Sequence, residues 1–210
     1  MMKIVSMLNI TDDTKIIDLG GTPHNWAFVP VMPEITMVNI DDGSSVQPDD
    51  IDPRYKLVRN PRTKMVLYKG GDVPFSDNSF DICFSNSTIE HVGDWDAIRN
   101  FAKEVRRLAP RYCVQTPNRN FFFEPHLFCA FIHWLPFGVQ RKMIRWFSIW
   151  GLVTKPDQAT IDKFLNDINL LTCDEMENLF PDSTIVREKF LWLTKSIIAV
   201  KSDFDYGEVV

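Results

Sequence analysis

The sequence predicts an α/β fold. A mostly parallel sheet of seven strands carries helices on both faces, ends in an antiparallel last strand, and has a helical insertion after strand five. Three observations predict it. Short apolar runs alternate with polar or helical stretches over the first half of the chain, the pattern of strands joined by crossovers. Clusters of acids and glycines punctuate the ends of those runs, where open parallel sheets bind ligands. Two strand-like runs then close the chain with only a short link between them, as an antiparallel pair allows.

Residues 15–19 (KIIDL) form the first strand and stop at Gly20-Gly21. Residues 35–40 (ITMVNI) form the second and stop at Asp41-Asp42-Gly43. The next twenty residues are polar and proline-bearing, a loop with at most short helix. Residues 64–68 (KMVLY) are the third strand, followed by Gly70-Gly71-Asp72, and residues 80–85 (FDICFS) the fourth. Trp95, Ile98, Phe101, Ala102, Val105 and Leu108 form a helical stripe that Pro110 ends. Residues 112–115 (YCVQ) are the fifth strand. The aromatic stretch 121–155 breaks the alternation and reads as a helical lid. Residues 173–180 form a short helix with Thr172 as N-cap, and 184–190 and 196–201 are the final strands.

A chain of 210 residues that is 45% hydrophobic can bury one full core, so residues 1–210 read as one domain. A net charge of −5 argues against a nucleic-acid partner, which favours a basic face. Cys83, Cys113, Cys129 and Cys173 stand far apart with no C-x-x-C, the usage of reduced thiols in a cytoplasmic protein. The first fifteen residues lack the apolar core of a signal peptide. The apolar stretch 127–138 is too short to cross a membrane and contains His133 and Pro136.

The glycine turn after strand one selects among ligands. A P-loop needs a lysine after its last glycine, and none is present. A dinucleotide site needs G-x-G-x-x-G so that backbone amides approach a pyrophosphate. Here the run is Gly20-Gly21-Thr22-Pro23-His24-Asn25, with Pro23 removing an amide donor and no Lys or Arg between Ile16 and Pro33. Acids are better placed than donors. Asp18, Asp41 and Asp72 close three successive strands, which suits a cationic nucleoside and repels a pyrophosphate.

On these residues, and on GDVPFSDNSFDICFSNSTIEHV (71–92), the chain resembles the class I S-adenosylmethionine-dependent methyltransferases, whose domain is Rossmann-like. The resemblance covers roughly residues 15–120 and 170–201. It implies S-adenosyl-L-methionine as cofactor. It also implies that Asp18, Gly20 and Gly21 face the methionine moiety, Asp41 holds the ribose, Asp72 and the backbone of Val73 read the adenine, and Ser85 and Asn86 line the floor near the sulfonium. The first loop departs from the family's D-x-G-x-G-x-G, having D-L-G-G-T-P-H, and His24 and Trp26 are expected to fill space that a glycine would leave open.

The acceptor is less legible. The [DN]-P-P-[YFW] motif of one large N-methylating group is replaced by Ser85-Asn86-Ser87-Thr88, which favours oxygen over an amine. A hydroxyl acceptor gains from a base, and histidine suits neutral pH. The stretch TPNRNFFFEPHLFCAFIHWLP resembles a segment of some bacterial methyltransferases near surface-glycan or natural-product genes. Glu124, His126 and His133 are its polar groups among aromatics, and His91 follows Glu90 after strand four. The expected catalytic set is His126, His91 and Glu124, with His126 and His133 facing the same way on one helix. Glu124, His126 and His133 lack a usual local metal-ligand spacing, so no metal is expected.

Met143, Trp146, Phe147 and Trp150 fall on one helical face beside Arg141, Lys142 and Arg145. That face is a lid packed on the domain or a peripheral contact of residues 137–150 with an anionic membrane. The expected partner is a small-molecule, glycan or lipid-linked acceptor. Two rivals remain: a non-catalytic module of the same fold acting through the aromatic lid, and a nicotinamide-dependent oxidoreductase, which the missing glycines disfavour.

Overall fold

The structure is a computed structural model that describes residues 2–26, 29–40, 60–68 and 70–203. Its sheet is built on five parallel strands, β1 (Lys15–Leu19), β2 (Glu34–Ile40), β3 (Thr63–Tyr68), β4 (Ile82–Asn86) and β5 (Arg111–Pro117). Two more strands follow the lid, β8 (Thr184–Phe190) and β9 (Leu193–Lys201). The sheet order is β3-β2-β1-β4-β5-β9-β8, and β9 is antiparallel to both of its neighbours. The reversed last strand is therefore wedged inside the sheet rather than left at its edge.

Side-chain alternation sorts the strands between two cores. Ile17, Leu19, Val38, Cys83, Tyr112, Val114, Ile197 and Ala199 face α2 (Trp95–Leu108) and α6 (Cys173–Leu179). Ile16, Ile35, Met37, Ile82, Phe84, Cys113 and Val200 face the N-terminal segment, where Leu8, Ile10 and Trp26 complete the packing. That segment includes a helix absent from the sequence reading, α1 (Met2–Met7), whose six residues are too few for a readable period. α2 begins at Asp94, whose carboxylate accepts from the amides of Asp96 and Ala97. Its stripe of Ile98, Ala102, Val105 and Leu108 is buried on the sheet. α6 begins at Thr172 as expected, and Glu175 completes a capping box.

The lid corrects the expectation of a helical segment over 121–155. It opens as a two-stranded hairpin, β6 (Phe123–Glu124) with β7 (Cys129–Ala130), and a 3-10 turn follows at Ile132–Trp134. Phe128 and Phe131 take left-handed backbone, φ 50° and 63°, which a continuous helix does not accommodate. The helices come later and run further: α3 (Phe137–Phe147), α4 (Ile149–Thr154) and α5 (Gln158–Asp167). They share a small core of Leu127, Ile132, Ile144 and Ile161. A Cβ on Gly151 would lie 2.2 Å from the Ile144 carbonyl, so only glycine lets α4 fold back on α3 this closely.

Candidate functional site

A cleft of about 370 Å³ opens at the C-terminal ends of β1–β4, roofed by the start of α2. Leu19, Val38, Ile40, Tyr68, Val73, Val92 and Phe101 give it apolar walls. Asn39, Asp72, Thr88, His91, Asn100 and Glu104 give it polar points. No Lys or Arg is among the described residues that line it. A cleft whose described polar points are mostly acceptors suits a positively charged nucleoside.

Several expected residues stand in this cleft. Gly20 lines it with φ +73°, its amide donating to the Val38 carbonyl at 2.8 Å. A Cβ there would lie 2.3 Å from the Thr88 side chain, which packs over the turn. Asp72 lines the cleft in an exposed turn beyond β3. Asp41 lies outside the described residues.

Other expected residues have different work. Asp18 does not converge with Asp72. It is fully buried on the face of β1 that carries Trp26 and Phe84, and its Oδ2 accepts from the Trp26 indole at 2.7 Å. A Cβ on Gly21 would lie 2.1 Å from the Asp18 carboxyl carbon, so glycine lets the turn close over this acid. Burial raises the Asp18 pKa to about 7, against the lowering influence of Trp26 and Asn25. The backbone of Val73 is also occupied: its amide donates to Glu104 Oε2 at 2.9 Å, and its carbonyl accepts from Arg107 at 3.0 Å. Arg107 further binds the Phe75 carbonyl at 2.6 Å and Glu104 at 2.7 Å. This hydrogen-bonding holds the Glu104 carboxyl below its usual range despite partial burial. Ser85 is buried and ties β4 to β1 through the Leu19 carbonyl at 3.0 Å. Asn86 is half-buried and accepts through its carbonyl from Thr88 at 3.4 Å. Thr88 and His91, not Ser85 and Asn86, line the cleft.

The expected catalytic residues meet. His91 lies within 3.2 Å of His126, Nε2 to Nε2. His126 Nδ1 lies 2.6 Å from Glu124 Oε1, and Glu124 Oε2 accepts the Leu127 amide at 2.5 Å. Glu124 is buried, so its charge acts on the imidazole with little screening. Burial lowers the His126 pKa, but the hydrogen bond and charge of Glu124 outweigh it and the net shift is upward. Burial and the neighbouring His126 lower the pKa of His91. The β6–β7 hairpin brings this set together, because His126 sits in its turn. His133 is not on a shared helix with His126. Its Nε2 lies 3.0 Å from the Arg119 carbonyl, with which the Trp134 indole also bonds. On its other side, Glu124 borders a second cavity of about 190 Å³ between the hairpin and α5.

The sequence reading gave no site role to Thr88, Asn39 or Glu104, all of which line the cleft. Asn39, next to a strand-ending acid pair, was open to notice. Glu104 sits in the middle of a helical repeat and carries no local signal.

A family profile described as "Methyltransferase domain" matches residues 34–111, from β2 to the start of β5. Residues 34–111 are thus similar to a methyltransferase domain, and the fold is the Rossmann-like class I one. Solved structures agree on the fold. A SAM-dependent methyltransferase from Aquifex aeolicus superposes with a TM-score of 0.50 at 10% identity, over 94% of this chain and 86% of that one. The PH0226 protein of Pyrococcus horikoshii gives 0.52 at 15% identity, over 94% and 84%. The 1,6-didemethyltoxoflavin-N1-methyltransferase of Burkholderia thailandensis, with 1,6-didemethyltoxoflavin and S-adenosylhomocysteine bound, gives 0.50 at 14% identity, over 91% and 72%. No curated protein sequence matches the chain. The profile match ends before the lid, so it does not bear on the acceptor.

Proposed function

We propose that this protein is a methyltransferase that transfers the methyl group of S-adenosylmethionine to an oxygen of a small molecule, a glycan or a lipid-linked acceptor, within the single domain formed by residues 1–210. The observation that carries the reading is the cleft, walled by apolar groups, dotted with acceptors, free of lysine and arginine among the described residues, and ending at His91. Bound there, S-adenosylmethionine supplies an already activated methyl group on a sulfonium. The protein's task is then mainly to position the two reactants. Asp72 is exposed on the rim, where its carboxylate can accept from the adenine amino group. Asp41 follows β2 directly and takes the ribose hydroxyls in this reading. Gly20 and Gly21 keep the turn narrow, and Asp18 holds that turn from beneath rather than touching the ligand. A hydroxyl acceptor sheds a proton as its bond to carbon forms. His91, backed by His126 and Glu124, is the polar set at that edge.

The lid favours a bulky or surface-bound acceptor. Trp146 and Phe147 are each 65% exposed, and Leu152 and Val153 of the next helix are exposed as well. Lys142 and Arg145 are exposed beside them. The face differs from the expected one, since Met143 and Trp150 turn inward and Trp150 stacks on Phe164. No helix among the described residues is long and apolar enough to cross a membrane.

Titration calorimetry tests the reading. S-adenosylmethionine binds and NAD does not, and Asp41→Ala and Asp72→Ala each weaken binding about tenfold or more. No heat with S-adenosylmethionine at concentrations on the order of hundreds of micromolar would instead favour a non-catalytic module. Mass spectrometry of extracts with and without the protein then finds the acceptor by its gain of one CH₂ unit.

A further inference from the structure

We infer that Glu90, His91 and His126 form a binding site for one divalent transition-metal cation at the acceptor edge of the cleft. The three side chains each offer a ligand atom, and these atoms all lie within 4.8 Å of one another. The two imidazoles present Nε2 to Nε2 at 3.2 Å. Two nitrogens each ~2.0–2.1 Å from one ion stand about 2.9 Å apart at a right angle and about 3.4 Å apart at the tetrahedral angle. The observed spacing falls between these limits.

Two independent features point the same way. Glu90 is fully buried, its Oε2 accepts from Thr116 Oγ1 at 2.9 Å, and its Oε1 has no partner among the described residues. A buried carboxylate oxygen without a donor is costly unless something positive faces it. His126 is oriented from behind by Glu124, at 2.6 Å from Nδ1. That carboxylate accepts a hydrogen bond from the Nδ1–H of the neutral ring and leaves Nε2 with its lone pair toward His91, the carboxylate–imidazole arrangement that supports metal-bound histidines. The ligands come from two distant places, the Glu90-His91 pair before α2 and the β6–β7 turn. Local ligand spacing therefore does not reveal them.

The role of the ion rests on the methyltransferase reading. Three protein ligands leave a coordination position open, as in catalytic metal sites. A hydroxyl acceptor bound there gives up its proton more readily. The proton passes to water, a lone pair of the oxygen forms the new bond to the methyl carbon, and the S–C bond breaks with its electrons remaining on sulfur.

The test uses the full chain, stripped with EDTA and titrated with zinc chloride in calorimetry without S-adenosylmethionine. One ion binds per chain, with micromolar or tighter affinity, and thermal melting shifts upward. Glu90→Gln and His126→Gln each weaken binding at least tenfold, while His133→Ala does not. Circular dichroism confirms that each variant is folded. Cobalt(II) substituted into the wild type gives visible absorption that the two ligand variants lose. Absence of binding, or binding unchanged in both variants, overturns the site and leaves the imidazoles joined by a plain hydrogen bond. Zinc binding without S-adenosylmethionine binding upholds the site and defeats the methyltransferase reading. Methyl transfer that persists undiminished in metal-free protein overturns the ion's role.

Discussion

Asp18→Asn isolates one buried acid and makes a signed prediction about pH. In the folded chain the Asp18 carboxyl titrates near about 7, because burial disfavours its charged form. In the unfolded chain it returns to the ordinary value, 3.8. Between these values the unfolded state has released the proton while the folded state still holds it. The unfolded state thus binds fewer protons, and stability falls as pH rises. Taken to completion, a displacement of this size costs on the order of 4 kcal/mol. About 2.5 kcal/mol of that is lost between pH 5 and pH 8. Asparagine does not titrate, and its amide oxygen can still accept from the Trp26 indole. Its NH₂ takes the place of Oδ1, which has no partner among the described residues, at a cost of about 1–2 kcal/mol that is the same at every pH. The substitution therefore lowers stability at pH 5 and gains on the wild type as pH rises. Urea denaturation of both proteins from pH 5 to pH 8 measures the difference directly, since all other titrating groups are shared. Parallel pH profiles for the two proteins would refute the assignment of a buried, protonated Asp18.

Two further outcomes follow from the packing. Arg107→Ala removes the donor that holds Glu104 and the carbonyls of Val73 and Phe75, so the loop beyond β3 loosens. It is expected to cost on the order of 2–3 kcal/mol in denaturation and to weaken S-adenosylmethionine binding, whereas an unchanged melting curve would show the contacts to be idle. Cys83 and Cys113 are fully buried, and burial pushes the Cys113 thiol up to about 12 and Cys83 well above its ordinary value. Alkylation of the native protein at pH 8 should therefore spare both while reaching Cys129 or Cys173, which are only half-buried, and denaturant should expose all four; early labelling of Cys83 would contradict the packing of β4.

The succession of the first strands along the chain was readable because the first three are short apolar runs followed by glycine or acid. KIIDL followed by two glycines leaves little choice but a strand and a tight turn. The sequence by itself also determined the capped start of α6 and the apolar stripe of α2, whose signals are local. The lack of basic residues around the first turn also needs no structure to see, and it disfavours a pyrophosphate there. Strand parity, by contrast, decided that Asp18 faces Trp26 rather than the cleft. That outcome depends on which core claims the even-numbered face of β1, and only the packed sheet settles it. The lid was misread because aromatic residues support helix and hairpin alike. Its course was set by left-handed positions at Phe128 and Phe131 that no local pattern announces. The juxtaposition of His91 with His126 is likewise tertiary. Thirty-five positions separate them in the chain, and only the β6–β7 turn, folded back over the end of β4, brings their rings within hydrogen-bonding distance.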